Sequence, residues 1–174
     1  MIVLAFRGTV CGNSYANAKT DINFLPVIFT NGDIGGGCKW LSRCFVHQGF
    51  HKSYKRLRDE VRNTAVSMVR KYRNDNPKFL VTGISLGGAI AAHASYDLAL
   101  YMKHINEEVD FVFYTFGQPR IGSKNFAKQV DSEITIFRIV HDADPVPHLP
   151  PRKVALARFY NPGIEVYIDS LSDS

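Results

Sequence analysis

The stretch Lys78–Ala92, KFLVTGISLGGAIAA, changes character at its middle residue. Phe79, Leu80 and Val81 form a short apolar run of the kind that builds a buried parallel strand. From Leu86 onward, Gly87, Gly88, Ala89, Ala91 and Ala92 supply the small side chains that let a helix lie close on a sheet. Between the two, Gly83-Ile84-Ser85-Leu86-Gly87 is a G-x-S-x-G pentapeptide, and its strand–turn–helix context lifts the serine hydroxyl clear of the sheet. Serine is a poor nucleophile at its own pKa, so Ser85 needs a base, an acid to orient that base, and donors for an oxyanion. The amide of Leu86, first in the helix, has no acceptor in its own turn and serves as one donor.

Strand and helix patterns alternate outward from this point. Ile2–Phe6 and Phe45–Val46 read as strands, followed by a basic amphipathic helix that stops before Pro77. After the serine helix come a strand in DFVFYTFG, a short helix in GSKNFAKQV, a strand in ITIFRIVH, and strand-like runs at Arg158–Tyr160 and Ile164–Ile168. Residues 10–39, rich in Asn, Gly and Thr, read as a long loop. The alternation predicts one α/β domain over residues 1–174, its mostly parallel sheet carrying helices on both faces.

The acid is sought where a loop leaves a strand. FRIVHDADPVPHLPP follows an apolar strand and offers Asp142 and Asp144; the prolines after Asp144 stiffen its loop. The bland reading of both is a surface turn with solvated carboxylates.

Five segments, IVLAFRGT, FVHQGFHKSY, VTGISLGGAIAAH, FYTFGQPRIGSKNFA and RIVHDADPVPHLPP, fall in the order and spacing of the class 3 (fungal-type) triacylglycerol lipase family, which the chain resembles from Ile2 to Ile168. The resemblance implies an α/β-hydrolase fold, here N-terminally short, and hydrolysis of acyl esters through a Ser85 acyl-enzyme. It implies Asp144 as the acid and Thr9, after Phe6-Arg7-Gly8, as a second oxyanion donor beside Leu86. It matches the lid to Asn17–Asp21, a polar segment that suits soluble esters better than oil droplets. No metal or cofactor is implied.

The resemblance also exposes a gap. On the matched segment YNPGIEVYI, Asn161 stands at the place given to the catalytic histidine, and an amide has no basic nitrogen. Three readings follow. Another imidazole serves, among His148, His141 and His47. Alternatively, the domain is catalytically impaired and binds a lipid or a protein partner. In the third, a further segment or subunit completes the site.

The net charge of +5 is concentrated in HKSYKRLRDEVRNTAVSMVRKYR, read as the solvated side of an amphipathic helix, with no nucleic-acid motif and at most peripheral membrane contact. Cys11, Cys38 and Cys44 allow a Cys38–Cys44 bridge, but the simpler expectation is three free thiols. With no signal-peptide core in MIVLAFRG, an intracellular location is expected.

Overall fold

Five strands in sequence order make the central sheet. In a computed structural model, which describes residues 1–8, 26–29 and 44–169, β1 (Ile2–Phe6), β4 (Lys78–Ile84), β5 (Asp110–Phe116), β6 (Ile136–His141) and β9 (Ile164–Ile168) lie side by side in that order. Every pairing among them is parallel. The registers Phe6↔Gly83, Ile84↔Phe116, Phe116↔Ile139 and His141↔Ile168 bring all five carboxyl ends to one rim.

Helix α1 (Gln48–Lys71) precedes β4, α2 (Leu86–His104) follows it, and α3 (Lys124–Asp131) lies between β5 and β6. Stepping one strand at a time in one direction with right-handed crossovers sends successive helices to the same face. On that face Phe79, Val81, Phe113 and Ile136 are buried with Ala89 and Ala92 of α2. Tyr54 of α1 hydrogen-bonds to Asp97 of α2 at 2.6 Å, and Phe126 of α3 stacks edge-on against Tyr96. The described helices therefore gather on one side. On the other, Val3, Ile84, Val112, Phe116, Ile164 and Val166 meet solvent, and the expected second helical layer is not among the described elements.

Helix α1 sorts its residues as its pattern predicts. Phe50, Tyr54, Val61, Ala65 and Val69 are buried, while Lys52, Lys55, Arg56, Arg70 and Lys71 are exposed. His47 caps it, accepting from the Phe50 amide at 3.4 Å through Nδ1, and its ring stacks on Phe50. That is a structural histidine.

Two expectations change. Within residues read as loop, Pro26–Ile28 forms strand β2, antiparallel to β3 (Phe45–His47). Cys44 is disulfide-bonded, so three free thiols is wrong; its partner lies outside the described residues. A buried Cys44 beside β3 presents its sulfur to a partner rather than to solvent.

Candidate active site

The site begins with the turn between β4 and α2. Ser85 sits there at φ 55° and ψ −125°, a backbone region that side-chain-bearing residues rarely occupy. Its amide donates to the Phe116 carbonyl at 2.9 Å, and its own carbonyl accepts from Gly88 at 2.9 Å. Both glycines of the pentapeptide are required by close approach. A Cβ at Gly83 would collide with the Gly87 carbonyl, and one at Gly87 would collide with the carbonyls of Phe6 and Arg7. The helix is thereby pressed onto the sheet, and Leu86 opens its first turn, where an amide has no acceptor within its own helix.

Asp144 comes to the same rim from the loop after β6. Its amide donates to the His141 carbonyl at 3.0 Å, and its Oδ1 accepts from the Val146 amide at 2.9 Å. The other oxygen, Oδ2, lies over Gly117, 2.5 Å from where a Cβ on that residue would stand. Gly117 follows Phe116, whose carbonyl holds Ser85, and its φ is +55°. One glycine therefore lets the carboxylate of one loop approach the turn that carries the serine. Asp142, the other candidate acid, is exposed and accepts from the Tyr167 hydroxyl at 2.5 Å.

The loop after β5 braces the acid loop. The Arg120 amide donates to the Leu149 carbonyl at 2.6 Å, and its guanidinium donates to the carbonyls of His148 and, at 2.9 Å, Pro150. Three successive carbonyls just past Asp144 are thus fixed by one residue. Sequence reading passed over both Gly117 and Arg120, although both stand in the quoted segment FYTFGQPRIG; their partners lie some thirty residues downstream, as the Arg120–Pro150 separation of 30 shows.

Asn161 is held by the loop after β5. Its Oδ1 accepts from Gln118 Nε2 at 3.1 Å, and Gln118 is buried against Gly88 of α2. Asn161 precedes β9, whose first residue pairs with Phe137 near the amino end of β6. The neighbouring Gly163 amide reaches Asp131 at the far end of α3. No hydrogen bond joins Asn161 to Ser85 or Asp144. Thr9 and the lid match Asn17–Asp21 lie outside the described residues.

The histidines divide into two groups. His47, His51 and His93 are buried together on the helical side, with the His51 and His93 rings 5.9 Å apart. Burial pulls His93 down to about 3, assisted by the neighbouring imidazoles, and His47 to about 4 against the backbone bond that favours its charged form. His104, His141 and His148 are exposed. Among the described residues no histidine hydrogen-bonds to Ser85 or Asp144, and no group of three or more His, Cys, Asp or Glu residues is arranged to hold a metal ion.

Comparison with known proteins gives this geometry a family. Residues 3–154 match the family described as Lipase (class 3). A lipase of Rhizopus niveus is 37% identical over 172 residues, 97% of this chain and 39% of the relative. The secreted mono- and diacylglycerol lipase 1 of Fusarium solani is 38% identical over 151 residues, 86% of this chain and 39% of the relative. Among solved structures, a triacylglycerol lipase whose catalytic centre is described as a serine protease triad is 35% identical with a TM-score of 0.70. That match covers 88% of this chain and 52% of the solved one. The chain thus spans about two-fifths of the curated relatives it matches.

The expectation of an intracellular protein is overturned here. Relatives from Fusarium solani and Penicillium cyclopium are named as secreted lipases, and a disulfide at Cys44 belongs to the oxidising conditions met outside the cytosol. Among the described residues no helix is long and apolar enough to cross a membrane. With the parallel sheet, the serine at its carboxyl rim and a family match over most of its length, the chain belongs to the class 3 lipase family of α/β-hydrolase folds.

Proposed function

We propose that the protein hydrolyses carboxylic esters of the acylglycerol type, with Ser85 as nucleophile and Asp144 as the acid that orients the base. Ser85 Oγ attacks the ester carbonyl carbon as its proton passes to the base. The Leu86 amide, with Thr9 as the second donor, stabilises the resulting oxyanion. The base then protonates the departing alcohol, and water releases the acid from the acyl-enzyme by the same route. The observation that carries this reading is the strained Ser85 backbone, tied through Phe116 to the glycine over which Asp144 extends.

We assign the base to a further segment or subunit rather than to Asn161, since all six histidines of the sequence lie among the described residues and the imidazole of none hydrogen-bonds to Ser85 or Asp144. Asn161 lacks a basic nitrogen, and its amide oxygen is engaged by Gln118. At the carboxyl end of β9 the Asp142 amide donates to the Ile168 carbonyl at 3.1 Å, which ties that strand to the acid loop.

The test is p-nitrophenyl butyrate hydrolysis by the full-length protein and three variants. Ser85→Ala is expected to lower kcat by about 10⁴-fold or more. Asn161→Ala is expected to stay within about threefold of the natural protein, since deleting one neutral hydrogen bond to Gln118 costs only about 1 kcal/mol of stability. A silent natural protein that gains Ser85-dependent turnover with Asn161→His overturns the assignment and makes the domain a disarmed one.

A further inference from the structure

Between the acid loop and β9 the chain makes a small hairpin, β7 (Lys153–Val154) and β8 (Ala157–Arg158), whose chemistry the proposed hydrolysis does not use. The register Lys153↔Arg158 and Val154↔Ala157 leaves Ala155 and Leu156 as a two-residue turn. Only Ala155 of that pair has a positive φ, 51°, a pattern that favours glycine at this place and asks nothing apolar of the next. Yet the next residue is Leu156, which is fully exposed. Neither turn geometry nor packing accounts for a leucine there.

Its surroundings are basic. Arg152, Lys153 and Arg158 are exposed around the turn, and residues 150–163 contain no Asp or Glu. The Arg152 guanidinium lies over the Tyr160 ring at 5.0 Å, holding one cation beside the hairpin base. The base itself is fixed on both sides to the loop after β5. Arg120 binds the carbonyls of Leu149 and Pro150, and Tyr160 exchanges hydrogen bonds with Ile121 and Gly122 at 3.1 and 2.7 Å. The hairpin base is thus anchored to the loop that braces the acid loop, with one exposed apolar side chain at the tip and cations behind it.

We propose that this hairpin anchors the protein on an anionic lipid surface, Leu156 entering the headgroup–acyl boundary while Arg152, Lys153 and Arg158 meet lipid phosphates. Charge complementarity selects the partner: a cationic collar whose own segment, residues 150–163, has no acidic residue repels basic surfaces and attracts phosphate, and a single leucine suits the shallow apolar layer beneath headgroups. The assignment goes beyond the ester chemistry and stands whether or not Ser85 turns over.

The test is co-sedimentation of the full-length protein with phosphatidylcholine–phosphatidylglycerol vesicles, against pure phosphatidylcholine vesicles. Leu156→Ser is expected to lower partitioning onto the anionic vesicles roughly tenfold, and Lys153→Glu by roughly tenfold or more. Hydrolysis of a soluble short-chain ester and thermal unfolding are expected to stay unchanged in both variants. That soluble assay separates this proposal from the ester reading. Leu156→Trp gives a positive signal, an emission blue shift on adding anionic vesicles beyond that of the natural protein with its single tryptophan. Unchanged partitioning of Leu156→Ser, no blue shift with Leu156→Trp, or equal binding to pure phosphatidylcholine overturns the proposal.

Discussion

Gly117→Ala separates the role of Asp144 from the stability of its loop. Gly117 has φ +55°, where an L side chain costs about 1–2 kcal/mol. A new Cβ would stand 2.5 Å from Asp144 Oδ2, whereas ordinary contact begins near 3.4 Å, so the carboxylate must retreat by the difference, about 0.9 Å. A displacement of about 1 Å in a catalytic constellation costs about 10²-fold in rate. The variant is therefore expected to lose about 10²-fold in kcat/KM toward a soluble ester and only a few degrees in Tm. Gly163→Ala is the control: it too has positive φ, 86°, and its Cβ would meet the Ile136 carbonyl, away from the rim. It should lose stability and keep its rate per folded molecule. If Gly117→Ala keeps kcat/KM within about threefold, Asp144 is not the acid, and the apposition across Gly117 is only packing.

Two predictions concern stability. Because burial lowers His47 to about 4 and His93 to about 3, the folded state holds both neutral where the unfolded chain, near 6.5, takes up protons. Stability is thus full above about pH 6.5 and falls below it; by about pH 5 each histidine costs about 2 kcal/mol, and His93→Phe should remove about half of the combined loss. Urea midpoints across pH measure this, and a flat profile contradicts it. Arg62 donates to Asp97 at 2.8 and 2.5 Å, and Asp97 is wholly buried. Arg62→Leu strands that carboxylate with only Tyr54 and should cost about 3–5 kcal/mol in urea unfolding; a loss below about 1 kcal/mol would mean that Asp97 finds another partner.

The elements nearest the serine were legible because their signals are local. An apolar run, a G-x-S-x-G turn and a run of small residues lie within Lys78–Ala92, and the same fifteen residues form β4, the strained turn and the start of α2. Strand β2 was not legible: three residues are too few for a period of two, and Ile28, at its end, is exposed. The three cysteines allowed a Cys38–Cys44 bridge but could not select it over free thiols, because their number is odd and proximity is a property of the fold. The histidine cluster was hidden for the same reason, since His47 and His93 meet only when α1 packs on α2. Asn161 shows the limit of chain order. Order places it after the acid, but only the fold shows that its side chain meets Gln118, 43 residues earlier in the chain.

The central claim is that Ser85 is an activated nucleophile. The most direct measurement is mass spectrometry of the full-length protein after treatment with a fluorophosphonate, which captures a serine only when a base removes its proton. A single adduct on Ser85, absent from Ser85→Ala and slowed by about 10²-fold or more in Asp144→Ala, is the predicted result. A folded protein that forms no adduct at Ser85, or ester turnover that survives Ser85→Ala, would contradict it.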